Sequence, residues 1–355
     1  MSTRTSEGRV RSEYRLKEPG KYFTAIVGRL EDVGTRQLGK RSVRGFAAPR
    51  AAEVTRRNLV IAEELLAFYA ELFGPCPYPV ISLAVAESLE PGGGGGLPED
   101  PAGFSDMPNF FLAHELAHQW WGQGVAPASY RDHWLSEAWA QYSSALWVRH
   151  KKGEGAFLEM LERMMSWAVR FDKSGPVDLG PRLGHLKLDS HVRRALVYDK
   201  GGLVLHMLRQ MLGDEAFFEG ARSFLEQHRY ATATTEDLRA ALEEAGGSDL
   251  EAHFEHWIYD TGIPTLEWAS RTEQTQEGFE TTVQVQPVGL PAPLPLEIAV
   301  RTSRDREIHR AMLDPDGGSW TILSRNRVRG VEINENLGIL AEEKKVRRLK
   351  RPPQR

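Results

Sequence analysis
The sequence predicts an α+β chain: a mostly helical middle with a small edge sheet, followed by a small antiparallel β domain. Apolar residues recur at helical spacing from about residue 51 to residue 262, and after Gly262-Ile263-Pro264 the period changes to two. Ahead of Pro49, short β-like pieces such as Tyr22–Val27 are separated by glycines and charges. They amount to two or three strands, too few to form a stable sheet alone. Such strands must pair with something elsewhere in the chain or missing from it.

Taken in order, Glu53–Phe73 carries Leu59, Ala62, Leu65, Leu66 and Tyr69 on one side and stops at Gly74-Pro75, a one-sided helix with a clean end. Val80–Ala86 is a short apolar strand, followed by Pro91 and the glycine run Gly92–Gly96. Helices are expected around Asn109–Gly122, His133–Arg149, Val192–Leu212, Glu215–His228, Glu236–Ala245 and Leu250–Tyr259, with Thr234 and Asp237 forming an N-cap pair. Farther on, Phe279, Thr281, Val283 and Val285 alternate with polar neighbours, as do Leu296, Ile298 and Val300. No internal repeat is present. The expected organisation is a β remnant over residues 1–50, a helical domain over 51–262, a small β-sandwich over 263–341 and a charged, basic tail over 342–355.

With 45 basic and 49 acidic residues the net charge is -4, so no overall basic field draws the chain to nucleic acid. No apolar run reaches the roughly 18 residues of a membrane span. The single Cys76 excludes an internal disulfide framework and suits a reducing compartment. Met1–Arg15 has no apolar signal core, so a cytoplasmic chain is expected, although a targeting segment could precede a truncated start.

The strongest chemical signal is His114-Glu115-Leu116-Ala117-His118. On a helix, positions i and i+4 share a face, so both imidazoles can reach one metal while Glu115 projects beside it. Phe110, Phe111, Leu112, Trp120 and Trp121 flank the motif and bury it, and buried imidazoles need partners. A catalytic zinc takes three protein ligands and keeps one open position. A glycine in place of Trp121 and a histidine in place of Gly124 would supply the third from the same stretch; both are absent. Glu137, in Trp134-Leu135-Ser136-Glu137-Ala138-Trp139, follows His118 with 18 residues between them, room for a turn and an antiparallel return. The remaining histidines, His133 among them, lack ligand spacing and read as ordinary residues.

These residues resemble the gluzincin peptidases of the aminopeptidase N and leukotriene hydrolase family. Further landmarks agree: Phe73-Gly74-Pro75-Cys76-Pro77-Tyr78-Pro79, Tyr198-Asp199-Lys200-Gly201-Gly202 and Trp257-Ile258-Tyr259-Asp260-Thr261-Gly262-Ile263-Pro264. The resemblance covers roughly residues 20 to 340 and implies a thermolysin-like catalytic domain between an amino-terminal β saddle, of which only the end is here, and a β-sandwich. It implies one zinc held by His114, His118 and Glu137, a water activated by that zinc with Glu115 as general base, and Tyr198 donating to the oxyanion. A peptide is the implied substrate.

One departure bears on specificity. Family aminopeptidases carry Gly-Ala-Met-Glu-Asn after the cleft-edge strand, and its glutamate grips the substrate's free amine. Here the place reads Pro91-Gly92-Gly93-Gly94-Gly95-Gly96-Leu97-Pro98. Gly93, Gly94 and Gly95 could let backbone groups approach a peptide, and Glu87, Glu90, Glu99 or Asp100 could replace the missing charge; a surface loop is the bland alternative. Peptide-bond hydrolysis, as an aminopeptidase on short peptides, is therefore expected. An endopeptidase or non-peptide hydrolase with the same zinc site, or a non-catalytic zinc scaffold, are the alternatives.

Overall fold
The computed structural model describes residues 2–6, 9–13, 17–19, 26, 28–85, 103–179 and 190–349, the first two segments and Ser190 by backbone alone. The glycine run, the Glu87–Asp100 acids and all of Tyr22–Val27 but Ile26 lie outside them.

Strands β1 (Ser2–Ser6) and β2 (Arg9–Glu13) pair with each other. The next two, β3 (Glu31–Leu38) and β4 (Arg41–Ala47), find their partner across the boundary expected at residue 50. β4 runs parallel to β5 (Val80–Val85), giving the sheet order β3-β4-β5. Helix α1 (Ala52–Phe73) crosses over between β4 and β5 and buries the stripe Leu59, Ala62, Leu65, Leu66, Tyr69 and Phe73. Gly45 makes that packing possible: a Cβ there would meet Leu59 Cδ1 and Val33 Cγ2 at 2.8 Å each.

The helical body continues with α2 (Phe110–Ala117), α3 (Trp134–Lys152) and α4 (Glu154–Phe171). α4 has no counterpart among the helices expected from the sequence. Its buried Phe157, Met160, Leu161, Met164 and Ala168 follow helical spacing, but its start, Gly153-Glu154-Gly155, offers no capping side chain. After the turn α5 (Ser190–Arg193), residues Arg194–Lys200 form a π-helix that runs into α6 (Gly201–Gln227). α6 breaks at Gly213, whose φ of 79° is outside helical space, so the two helices expected on either side are separate segments. α7 (Thr235–Gly246) opens with a full capping box between Thr234 and Asp237, and α8 (Glu251–Trp257) closes the body.

Inside the body two short strands, β6 (Ala126–Pro127) and β7 (Thr232–Ala233), pair parallel, and from Thr265 the chain is β. Strands β8 (Thr265–Gln274), β9 (Phe279–Val288) and β12 (Gly318–Ser324) form one sheet; β10 (Leu294–Thr302), β11 (Arg306–Leu313) and β13 (Val328–Ile333) form the other. Leu266, Val283, Val285, Ile298, Val300 and Ile333 belong to one buried cluster that is continuous with the helical core. Two features differ from the sequence expectation. Glu342–Lys345, counted there as the start of a tail, is a strand, and it pairs parallel to β8 at Thr265–Trp268 in an otherwise antiparallel sheet.

Candidate metal centre
α2 and α3 place three side chains at one point. His114 Nε2 and His118 Nε2 each lie 3.4 Å from Glu137 Oε2. The imidazole rings are 4.8 Å apart and nearly perpendicular. One atom from each of His114, His118 and Glu137 lies within 4.8 Å of the others, and no other such group occurs among the described residues. The two helices are held together behind this point. Trp121, just past α2, stacks on Trp139 of α3 at 4.0 Å and 3°, and Tyr69 of α1 donates to the Ala113 carbonyl at 3.1 Å. Asp132 ties the entry to α3 onto Thr235, accepting its backbone N–H at 2.8 Å.

The donor set suits a metal. Tetrahedral coordination with bonds of about 2.1 Å has ligand-to-ligand edges of about 3.4 Å, the separation of Glu137 Oε2 from both imidazoles. The electrostatics ask for a cation there. Burial opposes the charged form of Glu137, yet hydrogen bonds from His114 and His118 outweigh it and hold the carboxyl well below its usual range. Burial also opposes charging His118, but Glu137 more than offsets it and His118 is raised; His114, more deeply buried, is lowered. A carboxylate and one imidazole inclined to protonate mark a place where positive charge is stabilised.

The tautomer of His118 is set from behind. Its Nδ1 lies 2.9 Å from the Trp121 carbonyl oxygen, an acceptor only, so Nδ1 carries the proton and Nε2 presents its lone pair to the centre. The Ser136 hydroxyl sits 3.2 Å from the same Nδ1 and donates to the same carbonyl at 3.2 Å. Gly122 leaves room for it: its φ is 109°, and a Cβ there would stand 2.3 Å from Ser136 Oγ. Sequence reasoning named neither Ser136 nor Gly122 for this purpose. Their contact with His118 depends on a return of the chain that spacing alone does not specify.

Glu115 is exposed and, with His118, Gln119, Gln123, His133, Ser136 and Glu137, lines a cleft of about 320 Å³. Tyr198 sits on the π-helix with its ring stacked on that of His114 at 5.8 Å. Burial and the neighbouring Glu137 carboxylate push its phenol pKa upwards, so the hydroxyl keeps its proton. Residues around Tyr198 have structural jobs. Asp199 accepts from Gln141 of α3 at 2.7 Å, and burial raises its carboxyl to about 7. Lys200 is buried on Asp172 at 2.8 Å. Gly201 and Gly202 let α6 touch α3 and α4: a Cβ would meet Ala138 Cβ or Met164 Cε at 2.7 Å. His133, read from sequence as ordinary, has Nδ1 3.9 Å from Glu137 Oε1, and Arg193 reaches the same oxygen at 4.0 Å. Gly93, Gly94 and Gly95 lie outside the described residues. A larger crevice of about 840 Å³ lies between α6 and β10–β11, and three of its arginines are paired with acids, in Arg149–Glu154, Arg209–Asp214 and Arg306–Glu335.

A buried helix presenting two imidazoles one turn apart, completed by a carboxylate from the following helix, is a donor set that could hold one metal ion, in the HExxH pattern. Residues 109–257 match the peptidase family M1 domain. It is 32% identical over 159 residues to aminopeptidase N of Lactococcus lactis subsp. lactis, a stretch covering 44% of this chain and 19% of that protein. It is 27% identical over 268 residues to the tricorn protease-interacting factor F2 of Thermoplasma volcanium, covering 72% and 32% respectively. The crystal structure of Legionella pneumophila aminopeptidase A in complex with aspartic acid has a similar fold, with a TM-score of 0.63 at 15% identity over 89% of this chain and 38% of that one. The chain thus spans about a fifth to a third of the length of these curated relatives.

Proposed function
We propose that this chain hydrolyses peptide bonds with a zinc ion held by His114, His118 and Glu137, and that it acts on short peptides as an aminopeptidase. The observation that carries the reading is the convergence of two imidazole nitrogens and one carboxylate oxygen beside an exposed glutamate on an open cleft. The similarity to aminopeptidases supports it from a separate direction. Zinc, when bound, acidifies water and polarises a carbonyl.

The chain's own groups supply the rest. Glu115 lines the cleft with His118 and Glu137, where a general base takes a proton from the attacking water and returns it to the leaving amine. The Tyr198 hydroxyl, kept protonated by its surroundings, donates to the oxygen on which negative charge develops. The Trp121 carbonyl and Ser136 keep His118 in one tautomer and one ring orientation. Trp121 stacked on Trp139 keeps the two ligand-bearing helices in register.

One assay tests both the reaction and its direction. A peptide is offered with a free and with an acetylated amino terminus, each with and without a zinc chelator, and products are read by mass spectrometry. Stepwise loss of single residues from the free form alone, abolished by chelation and restored by zinc, is the expected result. Internal cleavage of both forms makes the chain an endopeptidase. No cleavage by protein carrying one zinc per chain overturns peptide hydrolysis.

A further inference from the structure
We propose that Arg193 reads a carboxylate on the substrate, supplied by an acidic side chain next to the scissile bond or by the free carboxyl end of a very short peptide. The inference rests on the peptide-hydrolysis reading above and narrows its substrate class.

Arg193 ends α5 immediately before the π-helix that carries Tyr198. Its guanidinium points to the metal centre, with a terminal nitrogen 4.0 Å from Glu137 Oε1 and the carbon 5.9 Å from the centre of the Tyr198 ring. A separation of 4.0 Å is outside hydrogen-bond range, and its buried Nε has no partner among the described residues. Two other arginines of the helical body have spent their donors: Arg163 grips Asp106 with two nitrogens, and Arg209 does the same with Asp214. Arg193 keeps its fork available, and its side chain is 40% exposed.

The charges facing it favour an incoming anion once the centre is loaded. Among the described residues Glu137 is the one carboxylate within 4.0 Å of Arg193, and a divalent cation held at this centre would draw that charge away. Glu115 lines the cleft with Gln119 and Gln123, and no ion pair joins it to Arg193 among the described residues. Arg194, the next residue, is engaged over the Phe104 ring at 5.4 Å. A planar guanidinium with unused donors takes a carboxylate in two parallel hydrogen bonds. Its place beside the Tyr198 ring puts that carboxylate on the side of the developing oxyanion.

The test uses zinc-loaded full-length chain and peptides that differ in one group: glutamate against glutamine on either side of the scissile bond, and a carboxyl against an amide end. The wild type is expected to favour the carboxylate member about ten- to a hundredfold in kcat/KM, mostly through KM. The pair that shows the preference identifies the carboxylate's source. In Arg193→Gln the ratio falls towards one, and Arg193→Lys recovers part of it. An equal fall in kcat for acidic and neutral peptides in Arg193→Gln, with the ratio kept, would assign Arg193 to positioning Tyr198 and overturn the proposal. So would a wild type that does not discriminate. Calorimetric binding of the same peptide pairs runs in parallel: if nothing is cleaved, tighter binding of the carboxylate member that is lost in Arg193→Gln upholds Arg193 while the hydrolytic reading fails, and equal binding overturns both.

Discussion
At the scale of one side chain, the candidate centre depends on groups outside its three donor residues. His118 can offer Nε2 only while Nδ1 holds its proton against the Trp121 carbonyl, and Ser136 braces that pair from the start of α3. Partners of this kind change metal affinity by about 10- to 100-fold when removed. Ser136→Ala is therefore expected to weaken zinc about tenfold in competition against a chromophoric chelator, with folding unchanged by circular dichroism. Gly122→Ala is expected to do more, because its left-handed φ of 109° and the 2.3 Å approach to Ser136 Oγ both oppose a methyl group. Unchanged zinc affinity in both variants would remove this pair from the account. Glu115→Gln separates binding from chemistry: the amide keeps the shape and loses the base. Zinc content should stay at one per chain while kcat falls by at least about a hundredfold.

The segment Tyr198–Gly202 shows how one short run serves the site, the core and the domain boundary at once. Tyr198 faces His114, Asp199 turns into α3, and Lys200 binds Asp172, whose other oxygen accepts from Gly262 N–H at 2.8 Å. Removing one member of a buried ion pair strands the other, at about 3–5 kcal/mol. Lys200→Met is thus expected to lower the unfolding free energy by that order in urea titration, and the double change with Asp172→Asn should recover part of it; a neutral single change would deny the pair its anchoring role. The identity of the landmarks was legible in the sequence, but this division of labour was not. Lys200 and Asp172 are 28 residues apart and Asp172 and Gly262 are 90, so no periodicity links them. Local signals fared better: the α1 stripe, the stop at Gly74-Pro75 and the break near Gly213 are short-range statements about helix faces and glycine. α4 marks the limit of that reading. Its stripe is regular, yet Gly153-Glu154-Gly155 resembles a loop, and the helix is held by burial against its neighbours more than by its ends. The three-residue convergence at the centre lay between these cases. Spacing put His114 and His118 on one face, while Glu137 needed an antiparallel return, which Trp121 on Trp139 secures.

Over the whole molecule, the helical body and the β-sandwich are joined by polar contacts buried inside one continuous apolar cluster. His206 of α6 is central to them. Its Nδ1 meets the Tyr142 hydroxyl at 3.1 Å and its Nε2 meets the Asn336 carbonyl, beyond β13, at 2.9 Å. Burial, partly countered by the Asn336 carbonyl, lowers its pKa to about 4. The folded chain therefore binds fewer protons than the unfolded chain between about pH 6.5 and 4. The stability His206 contributes is complete above pH 6.5 and is lost as pH falls through that window. Asp199 has the opposite sign. With its carboxyl raised to about 7 by burial, the folded chain binds more protons from about pH 4 to 7. Its contribution is complete at low pH and is lost as pH rises through 7. The two slopes partly cancel in the wild type, and single variants expose them. Urea midpoints measured from pH 4.5 to 7.5 should fall with acid less steeply in His206→Gln than in the wild type, and more steeply in Asp199→Asn. His253, buried and lowered to about 3, leaves a residual acid slope in both variants. Parallel curves for all three proteins would mean that neither group changes its protonation on folding, and that the junction between body and sandwich owes its pH dependence to other groups.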